Sequence, residues 1–466
     1  MSSTLQTPYQ LLKSYFTLKY LKEIYDEKIK LNPAKGIDRI SGVQFERQAK
    51  SHIKIIHEKC LNGTYRFSPY FELLKSKGRG KAPRIIAIPT VRDRIVLYAL
   101  KEILCQIFNE FVPRKLANTY IYEIRDFLSN KNPSDVAVFQ ADIKNFYGTI
   151  DREILFEKLH SRIKSQKVLT LIRRAIETPI VPKNYRKYEL EKYVESIGIP
   201  QGLSISNILA AIYFSEVDLD LEKSEYVYFR YVDDILIFTT VDKVNEAQTI
   251  LKTKVESLKL SFNEDKTGPS ITGKDGFEYL GYRFELPKVT MRQATIDKFI
   301  NSIAAKFSSY IHNNENKLRK YKYLNAEKLK EIFILDLNEK ITGAISEKKP
   351  YGWVFYYSAI NDISVLYKID KLITEFFKRL KDFDGVPPVS LKKLSRAFYE
   401  AKHNPKGGYI HNYNAYQTVE HKRDFLAHRG RLDPDKPYSE EEINELYERV
   451  KQRNLSELEN DEAQLY

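Results

Sequence analysis

Acidic residues stand at the ends of two apolar runs that lie far apart in the chain, and this pattern constrains the fold most strongly. The run Val136–Ile143 (VAVFQADI) is typical of a buried strand and carries Asp142 near its end. The segment Tyr226–Thr240 (YVYFRYVDDILIFTT) predicts two strands that meet at a tight turn holding Asp233 and Asp234. Because carboxylates at buried strand ends are costly unless they are paired or bind a cation, the pattern predicts that these acids share one site.

Three carboxylates at one place favour a hard divalent cation. Mg²⁺ prefers oxygen ligands, keeps several water molecules and also binds substrate phosphates. Two such ions, about 3.5–4 Å apart, would stabilise both the attacking and the leaving oxygen of an in-line phosphoryl transfer. We therefore predict two Mg²⁺ ions, for which Mn²⁺ can substitute, at Asp142, Asp233 and Asp234. A surface turn with an acidic pair is the alternative, and the apolar residues on both sides of the pair disfavour it.

The charge balance of the chain favours a polyanionic partner. Lys and Arg number 76 against 62 Asp and Glu, which gives a net charge of +14. Residues 440–466 are strongly acidic, so the rest of the chain is more basic than the whole. This excess predicts binding of nucleic acid, although a soluble basic protein without such a partner is the alternative.

Cysteine usage and hydropathy give an expectation about the compartment. The sequence contains two cysteines, Cys60 and Cys105, too few for a disulfide framework or a thiolate zinc site. The N-terminal residues lack the apolar run of a signal peptide, and no apolar stretch approaches the ~20 residues that span a bilayer. We therefore expect a cytoplasmic protein without a membrane partner.

The predicted order of elements favours an α+β fold. Helical periodicity is expected at about 9–30, 43–61, 91–111, 151–162 and 244–258, and the chain after Pro287 is expected to be mostly helical to about 383. Two β-rich segments, 66–74 and 84–89, predict a hairpin around the cationic tip KSKGRGKAP. Ser439 with Glu442 three residues later predicts a capping box that begins a last helix.

A series of ordered motifs resembles those of reverse transcriptases. FRYVDDILIF resembles the YxDD turn, VFQADIKNFYGTID the first catalytic strand, GIPQGLSISNILAAIYFSEVD the PQG motif, LSFNEDKT the segment that bears an active-site lysine, and FEYLGYRF the primer-grip hairpin. KGIDRI and PRIIAIPTVRDRIV resemble the fingers of group II intron-type enzymes. The segment LNEKITGAISEKKPYGWVFYYSAINDISVLYKIDKLI resembles their maturase or thumb segment, and the whole match runs from about Gly36 to about Leu380.

The resemblance implies a right-hand polymerase within the α+β class, acting as an RNA-directed DNA polymerase. It implies fingers at 1–135, a palm with an antiparallel sheet at 136–286, and a helical thumb at 287–384. A short C-terminal helical extension is expected at 385–466, with the acidic helix at its end. The implied partners are an RNA template, dNTPs and the DNA product, and a homo-oligomer is compatible with the sequence.

The resemblance also assigns roles to single residues of the palm. It implies that Asp142 and Asp233 bind the metal ions directly and that Asp234 binds the primer-side ion or supports it electrostatically. The backbone carbonyl of Ile143 is implied as a further ligand. Lys266 aligns with the lysine that protonates or senses the leaving pyrophosphate, and a surface charge beside a helix is the alternative.

Further residues of the resemblance would contact the incoming nucleotide or the primer. A bulky ring at Tyr147 would clash with a ribose 2′-hydroxyl and favour dNTPs, although an ordinary core aromatic is the alternative. Planar Arg84 suits bidentate phosphate contact, whereas Lys81 acts as a point charge. The complete implied sets are Lys81, Arg84, Tyr147, Gln201 and Gly202 for the dNTP, and Tyr279, Leu280 and Gly281 for the primer grip.

Two departures from the group II intron pattern bear on the biological role. The segment before the first catalytic strand reads RKLANTYIYEIRDFLSN where those enzymes carry a GFRPGRS-like sequence, and the PQG motif continues GLSISNILAAI where they have GGVISPLLANI. These departures resemble the bacterial reverse transcriptases of phage defence and abortive infection, some of which copy a dedicated noncoding RNA and others of which work without a template. A group II intron maturase and a non-catalytic RNA-binding protein are the alternatives.

Overall fold

The structure, a computed structural model, describes residues 6–76, 82–272, 274–347 and 349–462. The helices of this part are α1 (Pro8–Tyr15), α2 (Leu18–Ile24), α3 (Gly42–Phe45), α4 (Ala49–Leu61), α5 (Val91–Ile107), α6 (Ala117–Ser129), α7 (Phe146–Thr149), α8 (Arg152–Arg162), α9 (Gln166–Glu177), α10 (Ser206–Glu222), α11 (Val244–Ser257), α12 (Gln293–Lys320), α13 (Ala326–Thr342), α14 (Trp353–Tyr356), α15 (Ser364–Phe377), α16 (Leu394–His403), α17 (Val419–His428) and α18 (Glu440–Glu462). Its strands are β1 (Tyr70–Lys75), β2 (Arg84–Ile88), β3 (Val136–Asp142), β4 (Ile180–Val181), β5 (Val227–Tyr231), β6 (Asp234–Thr240), β7 (Gly268–Ile271), β8 (Phe277–Tyr279), β9 (Tyr282–Glu285), β10 (Lys288–Met291), β11 (Ala344–Ser346), β12 (Lys349–Tyr351) and β13 (His411–Asn412).

The chain divides into two compact units. The first comprises the chain up to Lys115 together with Val136–Ser270, and the second comprises Leu116–Asp135 together with the chain from Ile271 onward. Helices combined with mainly antiparallel sheets in both units confirm the predicted α+β fold. The finer division into fingers, palm, thumb and extension stays a prediction.

A four-stranded sheet in the order β5-β6-β3-β7 forms the centre of the first unit. β3 is buried along almost its whole length because its sequence, VAVFQAD, is apolar on both faces. β6 pairs antiparallel with both β3 and β5, which places the turn between β5 and β6 beside the end of β3. The helices α10 and α11 pack against strands of this sheet. The two predicted apolar runs therefore bring their acidic ends to the same end of one sheet.

The two β-rich segments near the N-terminus form the predicted antiparallel hairpin. β1 pairs with β2, with Lys75 opposite Arg84 at the end nearest the tip, and β4 adds in parallel to β1. Residues 77–81 of the cationic tip, including Lys81, lie outside the described residues. β2 leads into α5, which begins where the side chain of Thr90 accepts a hydrogen bond from the N–H of Asp93.

The second unit contains the last helix, which begins with the predicted capping box. The N–H of Ser439 donates to Oε2 of Glu442 (2.8 Å), and the N–H of Glu442 donates to Oγ of Ser439 (3.2 Å). α18 buries Ile443, Tyr447 and Leu458 in a hydrophobic cluster of this unit. The acidic segment is thus an amphipathic helix whose apolar side contributes to the core of its own unit.

Some helical predictions are interrupted in the structure. The helix expected over 9–30 breaks after α1 because the side chain of Thr17 accepts a hydrogen bond from the N–H of Tyr20 and caps α2. A 3₁₀ turn, Glu46–Gln48, divides the stretch expected over 43–61. Short strands such as β10 interrupt the region expected to be helical after Pro287. None of the helices in the described part combines the length and apolar character that a membrane crossing requires.

Candidate active site

Strand pairing brings the three predicted acids together. Asp142 is the last residue of β3 and lies directly opposite Asp234, the first residue of β6. Residues directly opposite each other in an antiparallel pair point to the same face, with Cβ atoms about 4.5–5.5 Å apart. Asp233 stands in the turn just before Asp234, and its carbonyl accepts a hydrogen bond from the N–H of Ile143 (3.1 Å). The end of the sheet therefore carries an acidic cluster, which we define as Asp142, Asp233 and Asp234.

The turn that carries the acids is strained and supported from outside. Val232 adopts a φ of 58°, a left-handed conformation that a β-branched residue rarely takes and that costs on the order of 1–3 kcal/mol. Arg230 supports the turn, because its Nη1 donates to the carbonyl of Val232 (2.8 Å) while its Nε donates to Oδ1 of Asp218 (2.7 Å). Sequence reasoning missed this Arg–Asp pair, whose partners come from β5 and α10. The strain is concentrated at the residue that precedes the acids.

The acidic cluster is a site of like-charge repulsion. Burial, followed by the charges of Asp234 and Asp142, raises the pKa of Asp233 from 3.8 to about 7. The charge of Arg84 acts in the opposite direction on the same carboxyl group. A cation bound between the carboxylates would relieve the repulsion and stabilise their ionised forms.

The donor atoms of the acidic cluster fit Mg²⁺, because they are all hard carboxylate oxygens. Within the described part of the chain, no three His, Cys, Asp or Glu side chains are grouped closely enough to form a metal cage of their own. Mg²⁺ at phosphate-transfer sites is usually bound by one or two carboxylates, with water and substrate phosphates supplying the rest, so a protein cage is not required. The two Mg²⁺ ions and their ligands, including the carbonyl of Ile143, stay predictions.

Asp142 is held by the segment between α11 and β7. Nζ of Lys266 lies 2.6 Å from Oδ1 of Asp142, and Nδ2 of Asn263 donates to its Oδ2 (3.3 Å). The backbone of Asp142 is fixed too, since its carbonyl accepts from the N–H of Asn263 (2.7 Å) and its N–H donates to Oγ1 of Thr267 (3.3 Å). Lys266 was predicted near the site, whereas Asn263 and Thr267 were missed although they stand in the LSFNEDKT motif.

Tyr147 lies close to the acidic cluster. Burial, followed by the charge of Asp233, raises the pKa of Tyr147 above its ordinary value, so the hydroxyl keeps its proton. This hydroxyl donates to Oδ1 of Asn207 (2.6 Å), at the start of α10. The ring is half-buried and packs against the core of the first unit. Sequence reasoning singled out the tyrosine and missed its partner Asn207.

The PQG loop packs on the hairpin strand β2. The N–H of Ala87 donates to the carbonyl of Gln201 (2.7 Å). Gly202 has a φ of 108°, and a Cβ at this position would lie 2.8 Å from Cγ2 of Ile86 and 2.9 Å from the carbonyl oxygen of Ala87. Glycine is therefore required here by both the backbone conformation and the close approach of β2. Arg84 begins the same strand, so this packing ties the predicted phosphate-binding residue to the PQG loop.

The predicted primer-grip residues belong to the second unit. Leu280 and Gly281 join β8 to β9 with φ values of 50° and 84°, the backbone of a tight two-residue hairpin turn. Tyr279 and Leu280 are buried, at 1% and 3% exposure. Their side chains belong to the core of this unit, so a primer grip at this turn would contact the primer through backbone atoms.

Comparisons with known proteins agree with the motifs. Residues 75–284 match the family model described as reverse transcriptase (RNA-dependent DNA polymerase). The chain is 27% identical over 229 residues to an uncharacterized 91 kDa protein in the cob intron of Schizosaccharomyces pombe, covering 47% of this chain and 27% of that protein. It is 25% identical over 178 residues to the group II intron-encoded protein LtrA of Lactococcus lactis subsp. cremoris, covering 36% and 28%. It is 26% identical over 173 residues to the retron Ec83 reverse transcriptase of Escherichia coli, covering 36% and 53%.

The matched region contains the acidic cluster, Tyr147 and the PQG loop. The chain spans about a quarter of the length of the first two relatives and about half of the third. The family match agrees with the predicted reverse transcriptase motifs at residues 75–284 and with the predicted enzyme class, RNA-directed DNA polymerase. The roles of individual residues stay predictions.

Proposed function

We propose that this protein makes cDNA on an RNA template by two-metal nucleotidyl transfer from dNTPs. The observation that carries the proposal is the meeting of Asp142, Asp233 and Asp234 at one end of a sheet inside a reverse transcriptase domain. Like charges at a partly buried strand end, beside a half-buried tyrosine and a lysine ammonium, are typical of catalytic sites.

The residues of the chain bind and orient the reactants. Asp142, Asp233 and Asp234 would hold the Mg²⁺ ions, which stabilise the charge that develops on the attacking and leaving oxygens when they are bound. The guanidinium of Arg84 attracts the triphosphate towards the acidic cluster. The ammonium of Lys266, held 2.6 Å from Asp142, supplies charge or a proton to the leaving pyrophosphate.

We further propose that the enzyme acts in antiviral defence against phage, either with an associated noncoding RNA or by untemplated synthesis. Two departures from the group II intron pattern support a role in defence. They are the absent GFRPGRS-like segment and the continuation of the PQG motif as GLSISNILAAI. A group II intron maturase is the second candidate function, and the likeness to LtrA favours it.

Two measurements test these proposals. Purified protein with an RNA template, a DNA primer, Mg²⁺ and labelled dNTPs should incorporate label. RNA binding without incorporation in either Mg²⁺ or Mn²⁺ would instead indicate a non-catalytic RNA-binding protein. Sequencing the nucleic acid that co-purifies with the protein separates the roles, because intron RNA supports a maturase and a short structured RNA supports defence.

A further inference from the structure

Asn207 occupies a position where this chain departs from the group II intron pattern. The PQG motif continues with Ser206-Asn207, whereas the compared pattern has Ser-Pro at the same place. Proline carries no side-chain acceptor, and asparagine does. In the structure Oδ1 of Asn207 accepts the hydrogen bond from the hydroxyl of Tyr147 at 2.6 Å. The departure therefore adds a polar partner to the ring that is predicted to face the nucleotide sugar.

The hydrogen bond between Tyr147 and Asn207 adds to two backbone hydrogen bonds that join residues 147–150 to the PQG motif. The N–H of Ile199 donates to the carbonyl of Tyr147 (2.8 Å), and the N–H of Gly198 donates to the carbonyl of Ile150 (2.8 Å). These two bonds fix the backbone on which Tyr147 stands. The bond to Asn207 fixes the opposite end of the side chain, at the hydroxyl. A ring held at both ends has less freedom to change rotamer than one held by its backbone alone.

We propose that Asn207 is a positioning residue that holds the Tyr147 ring against the sugar of the incoming nucleotide and so sharpens the preference for dNTPs over rNTPs. The inference rests on the proposed polymerase function and on the predicted sugar contact of Tyr147. A ring that excludes a 2′-hydroxyl by its bulk works to the extent that it stays in place. Without Asn207 the ring moves aside for the extra hydroxyl at a lower cost, and rNTPs enter more readily.

The test measures kcat/KM for one dNTP and the matching rNTP on a fixed template–primer. Asn207→Ala removes the acceptor and Tyr147→Phe removes the donor, so each variant should lower the dNTP/rNTP ratio by roughly 2- to 10-fold, the worth of one hydrogen bond. The change should appear as a higher kcat/KM for the rNTP. The double variant should match the single variants, because both remove the same interaction.

A matched control separates this effect from a change in helix stability. Asn245 is the second residue of α11 and is exposed, as Asn207 is in α10. Asn245→Ala should leave the dNTP/rNTP ratio unchanged. Tyr147→Phe removes the same hydrogen bond by removing its donor. The test therefore stays informative if Asn207→Ala lowers the melting temperature.

The outcomes distinguish the inference from the function on which it depends. Tyr147→Ala should admit rNTPs more than either single variant does. If Tyr147→Ala lowers the ratio while Asn207→Ala and Tyr147→Phe do not, the positioning role is wrong and the sugar contact stands. If Tyr147→Ala leaves the ratio unchanged, the sugar contact and the positioning role are both wrong. A wild-type protein that incorporates no dNTP overturns the proposed function and this inference together.

Discussion

The two units of the chain each gather ionisable side chains, and they do so with opposite chemistry. In the first unit the acidic cluster places carboxylates side by side at the end of a sheet. In the second unit Nη1 of Arg429 donates to Oδ1 of Asp336 (2.7 Å), and its Nη2 donates to Oε2 of Glu339. The first arrangement accumulates charge of one sign, whereas the second neutralises it.

The charges of the second unit form a buried ion-pair network, which we define as Asp336, Glu339, Tyr413, Arg429 and Asn454. Glu339 and Arg429 are each 5% exposed. The hydroxyl of Tyr413 donates to Oε1 of Glu339 (2.5 Å), and Nδ2 of Asn454 donates to its Oε2 (3.2 Å). The carboxylate of Glu339 on α13 thereby joins Arg429, which directly follows α17, to Asn454 on α18.

The pKa values of the two sites move in opposite directions, and the partners explain why. Burial acts to raise the pKa of Glu339, but the charge of Arg429 and the hydrogen bonds to the carboxylate bring it below its ordinary value. Burial and the charges of the neighbouring acids together raise the pKa of Asp233 to about 7, because the acids add to the effect of burial instead of compensating for it. A buried carboxylate with its own cation is compensated within the fold, whereas a carboxylate among other carboxylates is suited to bind a cation from outside.

The largest effect that tests this contrast is expected for Asp233→Asn. We expect the variant to lose dNTP incorporation to background, because it removes one of three carboxylates that would hold the metal ions. Its melting temperature without metal should not fall, since the substitution removes a partly buried charge and the repulsion from its neighbours. Asp242→Asn is the matched control, because this exposed acid lies just beyond the other end of β6. Full activity of Asp233→Asn would contradict the proposed mechanism.

The pH dependence of stability sharpens the same prediction. The carboxyl of Asp233 has a pKa of about 7 in the folded chain against an ordinary value of 3.8, so the folded state binds more protons between these values. The contribution of Asp233 to the free energy of unfolding therefore falls as the pH rises from about 4 to about 7. In the presence of EDTA, Asp233→Asn should lack this part of the slope. An unchanged slope would show that the acid is not repelled in the folded state.

The second largest effect is expected for Arg429→Met, which breaks the buried ion-pair network. The variant leaves Glu339 buried without its cation, which typically costs about 3–5 kcal/mol of unfolding free energy. The measurement is urea unfolding followed by the fluorescence of Trp353, the single tryptophan of the sequence, which is buried in the second unit. Adding Glu339→Gln should recover part of the loss, because it removes the uncompensated charge. A loss below about 1 kcal/mol would show that the network is not a stabilising element.

The sequence predicts the acidic cluster because strand ends are local features. The apolar runs around Asp142 and Asp233 identify strands by composition, and the tight turn forces β5 and β6 to pair. The buried ion-pair network has no such local signal, since Glu339 and Arg429 lie 90 residues apart and each looks like a surface charge on an amphipathic helix. Their partnership depends on tertiary packing that no periodicity reveals.

The same difference explains which residues of the candidate site were found. Lys266 and Tyr147 were identified through motifs, whereas Asn207 was noticed as a departure without a physical reason. Its role as an acceptor depends on the approach of α7 to the start of α10, which are far apart in the chain. The strained φ of Val232 is likewise invisible in the sequence, because valine is typical of a strand interior and gives no indication of a left-handed turn.

The smallest effect on stability is expected for Lys266→Gln, which tests whether an ion pair at the acidic cluster behaves like the buried network. Lys266 and Asp142 approach to 2.6 Å, but the lysine side chain is 54% exposed. Such pairs contribute roughly 0–1 kcal/mol, so the unfolding free energy should change by less than about 1 kcal/mol.

Lys259→Gln is the matched control, because Lys259 also lies 2.6 Å from a largely buried aspartate, Asp151, with a lysine side chain that is 62% exposed. Both variants should unfold like the wild type, and Lys266→Gln alone should slow dNTP incorporation. Equal incorporation by the two variants would mean that Lys266 is a surface charge, whereas a stability loss as large as that of Arg429→Met would place it with the structural pairs.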